Sequence, residues 1–478
     1  MSEEISVCSR DHSIKISNMH NHDVVSNSVI LLRGTVRNTS TCNNSIIINH
    51  YHNGEIIQTF MCNVHNSVFK CLVQLKLSIN HFELKYCSNT INCNVDYKVI
   101  STVHTVAPVL IICDNHDGTI SAPDEYSKSL ESSRSRLMLA VQLMQYFFAE
   151  KVYEYTNAHK TFNIEYEDDL PKIYVHKSKL DVNLANEMNE IELWQYFAKE
   201  LMMSKLSSPK RKFLAVITNT EYKSSDATSL CYDDIKKLTN CYASVGKGNL
   251  ALFGNPFFYT WPVEISEVQN RFQDNVLESF ITQNKEVDPV IKTIGGCYSF
   301  SFGAALHELA HIFDLGHTQY GLMGREYFNI DKVFSFGRYD LNPQAPYSDL
   351  NTSNDDNKSV SCNRKSFTVF KKPVKPQVTQ FAKIDKGCAY ILFLHKWFNN
   401  HAETKEAFSY DFSSNELFTA NCLGVVQLRQ LESELVAYSF LADSETYKWV
   451  RPAEFRNKSM YLLAIDVFGN TFNCITTR

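Results

Sequence analysis

His307-Glu308-Leu309-Ala310-His311-Ile312-Phe313-Asp314-Leu315-Gly316-His317 decides how the chain is read. His307 and His311 are four residues apart, so an α-helix sets both imidazoles on one face, about one turn apart. A tetrahedral zinc ion takes one nitrogen from each at about 2.0–2.1 Å. Gly316 lets the chain bend after the helix, so that His317 can return as a third ligand. A water is then expected in the fourth position, made acidic by the ion. Glu308, beside the first ligand, is placed to take the water's proton and to pass it to a leaving amine. The helix is expected over 301–313, because Phe302, Ala305, Leu306, Leu309, Ile312 and Phe313 give it an apolar side to bury.

Upstream of this helix, residues 126–155 carry apolar side chains at helical spacing (Leu137, Ala140, Val141, Met144, Phe147, Phe148) and predict a long amphipathic helix. Strands are expected at 161–166, 172–176, 212–218 and 249–254, with a helix at 190–206. Such alternation indicates an α/β layer. The Gly246-Lys247-Gly248 run reads as a turn before the last of these strands. Further towards the N-terminus, 28–36, 45–51, 56–64, 69–77 and 97–104 are rich in Val, Ile, Phe and Thr and separated by Asn/Gly/Ser clusters. Short strands at this spacing suggest a β-sandwich. Beyond the histidines, 348–378 is polar and Pro/Lys/Asn-rich and reads as a flexible insertion. A helix is expected at 389–399. Residues 405–478 return to strand character, at 425–428, 435–440 and 459–465.

The chain has 478 residues, enough for about three domains. Its 47 Lys+Arg against 52 Asp+Glu leave a formal net charge of −5, so there is no electrostatic case for nucleic acid or an anionic membrane as partner. Fourteen cysteines contain no CxxC pair, which argues against a four-cysteine zinc ribbon. The polar start of the chain shows no secretory signal, and no apolar run reaches the roughly 20 residues of a membrane helix. A cytoplasmic protein with mostly reduced cysteines is expected.

With its third histidine, the motif resembles that of the metzincin-type zinc peptidases, HExxHxxGxxH followed by a methionine turn. Gly321-Leu322-Met323-Gly324 begins four residues after His317, and the resemblance makes Met323 the methionine of that turn. It departs from the pattern at Asp314, where the family has glycine. Asp tolerates the left-handed conformation, so the turn can form there. Alternatively the helix runs on and turns at Gly316, or Asp314 hydrogen-bonds a ligand imidazole. The resemblance also makes the strand at 249–254 a substrate-binding edge strand. Tyr320, Tyr327 and Tyr339 do not match the spacing of the family's oxyanion-stabilising tyrosine and read as packing residues. His159, His176 and His395 read as structural.

More broadly, 28–35, 68–82, 137–165, 249–262, 303–328 and 392–400 resemble segments of a eukaryotic family of zinc metallopeptidases best known from fungi. The resemblance implies a peptidase with a peptide or protein substrate. Some members carry a lectin-like domain after the core, so a glycan or protein partner is conceivable for the β-rich tail.

The expected fold is therefore multidomain. A central α/β (α+β) metzincin-like zincin core at 115–402 is flanked by an N-terminal β-sandwich at 23–114 and a C-terminal β domain at 403–478, with 1–22 a flexible N-terminus. The expected function is zinc-dependent hydrolysis of peptide bonds, with His307, His311 and His317 as ligands and Glu308 as base. A non-catalytic scaffold with a peptidase-like core between two recognition modules is the alternative.

Overall fold

Alternating burial drives the first part of the chain into strands. In β4 (Ser45–His52) Ile46, Ile48 and His50 point inward; in β7 (Ser78–Tyr86) Asn80, Phe82, Leu84 and Tyr86 do. The computed structural model describes residues 12–37, 45–100, 102–283, 285–336, 382–400, 404, 408–443 and 445–476. The remaining strands of this region are β1 (Ile14–Ile16), β2 (Asp23–Val25), β3 (Val29–Val36), β5 (Glu55–His65), β6 (Val68–Gln74) and β8 (Asn89–Tyr97). Asn53 and Gly54, at φ 52° and 83°, close the β4–β5 hairpin, the backbone that Asn-Gly adopts at least cost.

These strands form one eight-stranded sheet in the order β1-β3-β6-β5-β4-β7-β8-β2, in place of the expected two-sheet sandwich. The long β5 makes it continuous, pairing with β4 over most of its length and with β6 through Val64 and His65. β1 and β2 lie at opposite edges yet are joined by residues 17–22, so the sheet must curl to bring its edges together. Two expectations change. Residues 14–16, counted with a flexible N-terminus, pair with β3 as an edge strand. Of the described residues in the strand expected at 97–104 only Tyr97 lies in a strand, as the last residue of β8, while β7 and β8 go unexpected because their polar outward residues mask the alternation.

The strand β9 (Thr105–Asp114) was counted with the N-terminal β region but belongs to the central sheet. Its residues 106–113 are all buried, as befits a parallel strand covered on both faces and not a half-exposed sandwich strand. It lies parallel to Tyr174–Asp181 on one side and Arg211–Ile217 on the other. Leu250–Gly254 adds a further parallel strand, and Ala243–Lys247 closes that edge antiparallel. Alternate residues serve two cores. Ala107, Val109 and Ile111 meet Leu193, Phe197 and Leu201 of the helix Glu190–Met203. Val106, Leu110, Leu214 and Phe253 face a second cluster with the helices α1 (Leu130–Thr156) and Ile294–His311.

α1 begins at Ser129, whose side chain accepts from the Ser132 N–H, and ends at Asn157 in the left-handed conformation. The N-terminal sheet docks on it through Arg33–Glu150 at 2.8 Å and Gln142–Ser28 at 2.8 Å. At its centre Phe148 meets Phe162, Phe313 and Phe398 edge-on, with ring centroids 5.9–6.0 Å apart.

After the helix Lys386–Leu394 the chain forms two small antiparallel sheets. Phe408–Asp411, Glu416–Thr419 and Lys448–Val450 make one; Val436–Leu441, Leu423–Arg429, Met460–Asp466 and Thr471–Thr476 make the other. Leu417, Val426, Leu428, Trp449 and Leu462 form their own small core. The insertion expected at 348–378 lies outside the described residues. Among those described, no helix is long and apolar enough to cross a membrane.

Phe148→Ala removes the ring that links α1 to the end of the histidine helix. It should destabilise the protein by about 3–5 kcal/mol, read as a lower urea midpoint. A loss below about 1 kcal/mol would contradict close packing at this junction.

Candidate metal centre

The helix Ile294–His311 starts seven residues before the sequence suggested. Thr293 caps it, its side chain accepting from the Gly296 N–H at 3.1 Å. Helical spacing brings His307 Nε2 and His311 Nε2 to 3.0 Å. The helix ends at His311, and the chain reverses at Asp314, at φ 63°. Of the alternatives for this position, the turn therefore forms at Asp314 itself. The reversal returns His317, whose Nε2 lies 3.2 Å from that of His311. Among the described residues these three form a group able to hold a metal ion, with ligand atoms within 4.8 Å of one another.

Backbone carbonyls define the tautomers. His307 Nδ1 meets the Leu322 carbonyl at 2.7 Å, His311 Nδ1 that of Leu315 at 2.8 Å, and His317 Nδ1 that of Ser433 at 2.5 Å. A carbonyl only accepts, so each Nδ1 carries the hydrogen and each Nε2 presents a lone pair. Three lone pairs facing one another at this distance repel unless a positive charge sits among them. A proton is a poor candidate: burial, eased by the Leu322 carbonyl, pushes His307 down to about 4, and burial with the neighbouring imidazoles lowers His311 well below the usual histidine range. A divalent cation fits. Tetrahedral ligands at about 2.0–2.1 Å stand about 3.3 Å apart, close to the spacing here.

The Leu322 carbonyl comes from the turn 321–324. Gly321 adopts φ 78°, its N–H donates to Glu326 at 3.0 Å, and Thr318 N–H donates to the Met323 carbonyl at 2.9 Å. Met323 is buried within this turn.

Glu308 points to the sheet edge. Its Oε2 accepts from the Gly246 N–H at 2.6 Å and its Oε1 from the Ser244 hydroxyl at 3.1 Å. Burial pushes its carboxyl up to about 8, against the pull of those two donors. Two expectations are corrected here. The strand at 249–254 is interior, between Arg211–Ile217 and Ala243–Lys247, and the edge strand is the latter. Gly246 and Lys247, read as a turn, belong to it; Gly248, at φ 58°, begins the turn. A Cβ at Gly246 would lie 1.9 Å from the Glu308 carbonyl oxygen, so only glycine lets strand and helix come this close.

Asp314 does not reach a ligand imidazole. Its carboxylate lies 3.3 Å from His395 Nε2. Burial opposes its charge, but His395, Lys212 and Arg429 together hold its carboxyl below the usual range. His395 is thus a support beneath the turn. Tyr327, read as a packing residue, stands with its ring 5.7 Å from that of His307. Burial and Glu308 both push its hydroxyl up. Tyr320 is exposed, and Tyr339 lies outside the described residues. The contacts least visible in the sequence are Ser433, Glu434 and Arg429, which grip the loop of His317 from the C-terminal sheets.

Residues 13–376 match the profile of a family described as "Putative peptidase family" (Metallopep). A Saccharomyces cerevisiae protein named "putative zinc metalloproteinase" is 24% identical over 299 residues, covering 57% of this chain and 42% of that protein. The chain thus spans less than half the length of that relative. Among solved structures, an engineered protein matches at TM-score 0.16 and 12% identity, covering 19% of this chain and 20% of that one. The fibronectin(III)-like modules of Clostridium thermocellum CbhA match at TM-score 0.14 and 10% identity, covering 18% of this chain and 98% of that one. Likenesses at such TM-scores carry no argument about fold.

The depressed His307 predicts how the metal-free protein responds to acid. Below the ordinary histidine value of 6.5 the unfolded chain takes up a proton that the folded chain refuses until about 4. The stability this residue contributes is intact above about pH 6.5 and falls as pH drops towards about 4, by up to about 3 kcal/mol. Urea titrations across that range after chelation should show the fall, and His307→Gln should lessen it, leaving the part due to His311. Identical slopes for the two proteins would contradict the assignment.

Proposed function

The chain belongs to the peptidase family whose profile it matches over residues 13–376, and on that premise we propose that it is a zinc-dependent metallopeptidase. The observation that carries this reading is the convergence of three Nε2 lone pairs, each fixed by a carbonyl behind it, beside a carboxylate on the same helix. His307, His311 and His317 would hold the ion. Zinc in such a site supplies Lewis acidity, polarising a scissile carbonyl and making water acidic enough to attack near neutral pH.

Glu308 is the base in this reading. Burial alone favours its protonated form, and a zinc ion held by the adjacent histidines would favour the carboxylate, which could then take a proton at Oε1 or Oε2 and give it up again to a leaving amine. Ser244 and Gly246 orient that carboxylate from the edge strand. Among the described residues the same strand has one side unpaired in the sheet, along which an extended peptide can add by backbone hydrogen bonds to groups other than the Gly246 N–H, which Glu308 holds. A mostly parallel sheet with an antiparallel edge strand, a helix bearing two of the histidines, a reversal to the third and a turn containing Met323 together support a metzincin-like zincin core.

Glu308→Gln separates a peptidase from a scaffold that merely binds metal. Against a peptide library, the variant should lose roughly 10²–10⁴-fold in turnover while keeping the wild-type zinc content. Wild-type turnover in the variant, or no cleavage of any peptide by the zinc-loaded wild type, would overturn the reading and favour the scaffold.

A further inference from the structure

The three histidines are not supported alike. The carbonyls behind His307 and His311 come from Leu322 and Leu315, within the same stretch of chain. The one behind His317 comes from Ser433, 116 residues away in the C-terminal sheets. That carbonyl sits in the loop 430–435, between the strands Leu423–Arg429 and Val436–Leu441. The loop is braced internally. Gln430 N–H donates to the Leu435 carbonyl at 2.9 Å, Glu434 N–H to the Gln430 carbonyl at 3.0 Å, and the Ser433 hydroxyl to Gln430 Oε1 at 2.9 Å.

This loop binds His317 as one strand binds another. His317 N–H donates to the Glu434 carbonyl at 3.1 Å, and Val436 N–H donates to the His317 carbonyl at 2.9 Å, making an isolated parallel bridge to Leu435. Arg429 holds the preceding turn. Its guanidinium is buried, donates to the Asp314 carbonyl and is aligned by Gln427 Oε1 at 2.8 and 3.1 Å. Between these anchors the loop approaches too closely for a side chain. A Cβ at Gly316 would lie 2.6 Å from Arg429 Nε and 2.8 Å from the Glu434 carbonyl oxygen.

The attachment extends beyond the loop. Val425, Leu463 and Ile465 of the larger C-terminal sheet share one core with Leu309, Phe313 and Leu392. A recognition domain tethered to a finished peptidase core needs none of these contacts.

We propose that the C-terminal sheets are a positioning element of the metal centre, in which Arg429 and the 430–435 loop orient the His317 imidazole and so complete the ligand set. This rests on reading the three histidines as metal ligands. Partners of this kind behind a ligating histidine are worth roughly 10–100-fold in metal affinity.

The test is zinc affinity of the full chain, measured by competition with a chromophoric chelator, alongside the visible spectrum of the cobalt-substituted protein. Arg429→Met removes the guanidinium from one side of the contact; Gly316→Ala pushes the surfaces apart from the other. Each should weaken zinc binding by roughly 10–100-fold and alter the cobalt spectrum. Arg429→Lys, which keeps one donor for the Asp314 carbonyl, should recover part of the loss. The double variant should be little worse than the weaker single one, since both break the same contact. Thermal unfolding of each metal-free variant shows whether it folds, and if Arg429→Met does not, Gly316→Ala decides. Wild-type zinc affinity and cobalt spectrum in folded variants would overturn the proposal and leave the metal site standing. Failure of the wild type to bind zinc, or undiminished binding by His317→Ala, would overturn the metal reading and this proposal with it.

Discussion

The site depends on a simple electrostatic constraint. Carbonyls of Leu322, Leu315 and Ser433 take the Nδ1 hydrogens of His307, His311 and His317, so three imidazole lone pairs are turned towards one point. At 3.0 and 3.2 Å those lone pairs repel, and burial makes protonation an expensive remedy for His307 and His311. A divalent cation would relieve the repulsion, and the surrounding fold keeps the three rings aimed at that point. The buried helix fixes two of them, the left-handed Asp314 turns the chain, and the C-terminal loop fixes the last.

The same helix connects the three histidines to the sheet. Glu308 follows His307 directly and therefore faces a different direction, onto the edge strand, where Ser244 and Gly246 receive it. Close contact there requires a residue without a side chain at 246. The edge strand is thereby locked to the Glu308 carboxylate. Beneath the turn, the Asp314 carboxylate meets His395 Nε2 at 3.3 Å, and the positive charges of Lys212 and Arg429 nearby favour its ionised form. This explains how an aspartate can occupy a position where glycine is the easier choice: its side chain is used.

Much of this was legible in the sequence, for physical reasons that also mark where legibility stops. The four-residue spacing of His307 and His311 fixes a shared helical face, and continuous apolar runs such as 212–218 are what a doubly covered parallel strand requires. The run at 106–113 carries the same signature, yet its neighbours in the chain drew it into the wrong sheet. β7 and β8 were obscured by Asn, His and Asp on their outer faces. Ala243–Lys247 was obscured because the small residues that let it approach the helix are also those of a turn. Support for His317 could not be read at all, since backbone carbonyls more than a hundred residues away leave no trace in side-chain pattern.

The central claim is that three nitrogen ligands hold one zinc ion. X-ray absorption at the zinc edge, on the full chain reconstituted with zinc and desalted, tests it most directly. The account predicts about one zinc per chain with three imidazole nitrogens at about 2.0–2.1 Å and one further light ligand. Absence of retained zinc, a shell containing sulfur, or a hydrated octahedral oxygen shell would contradict it.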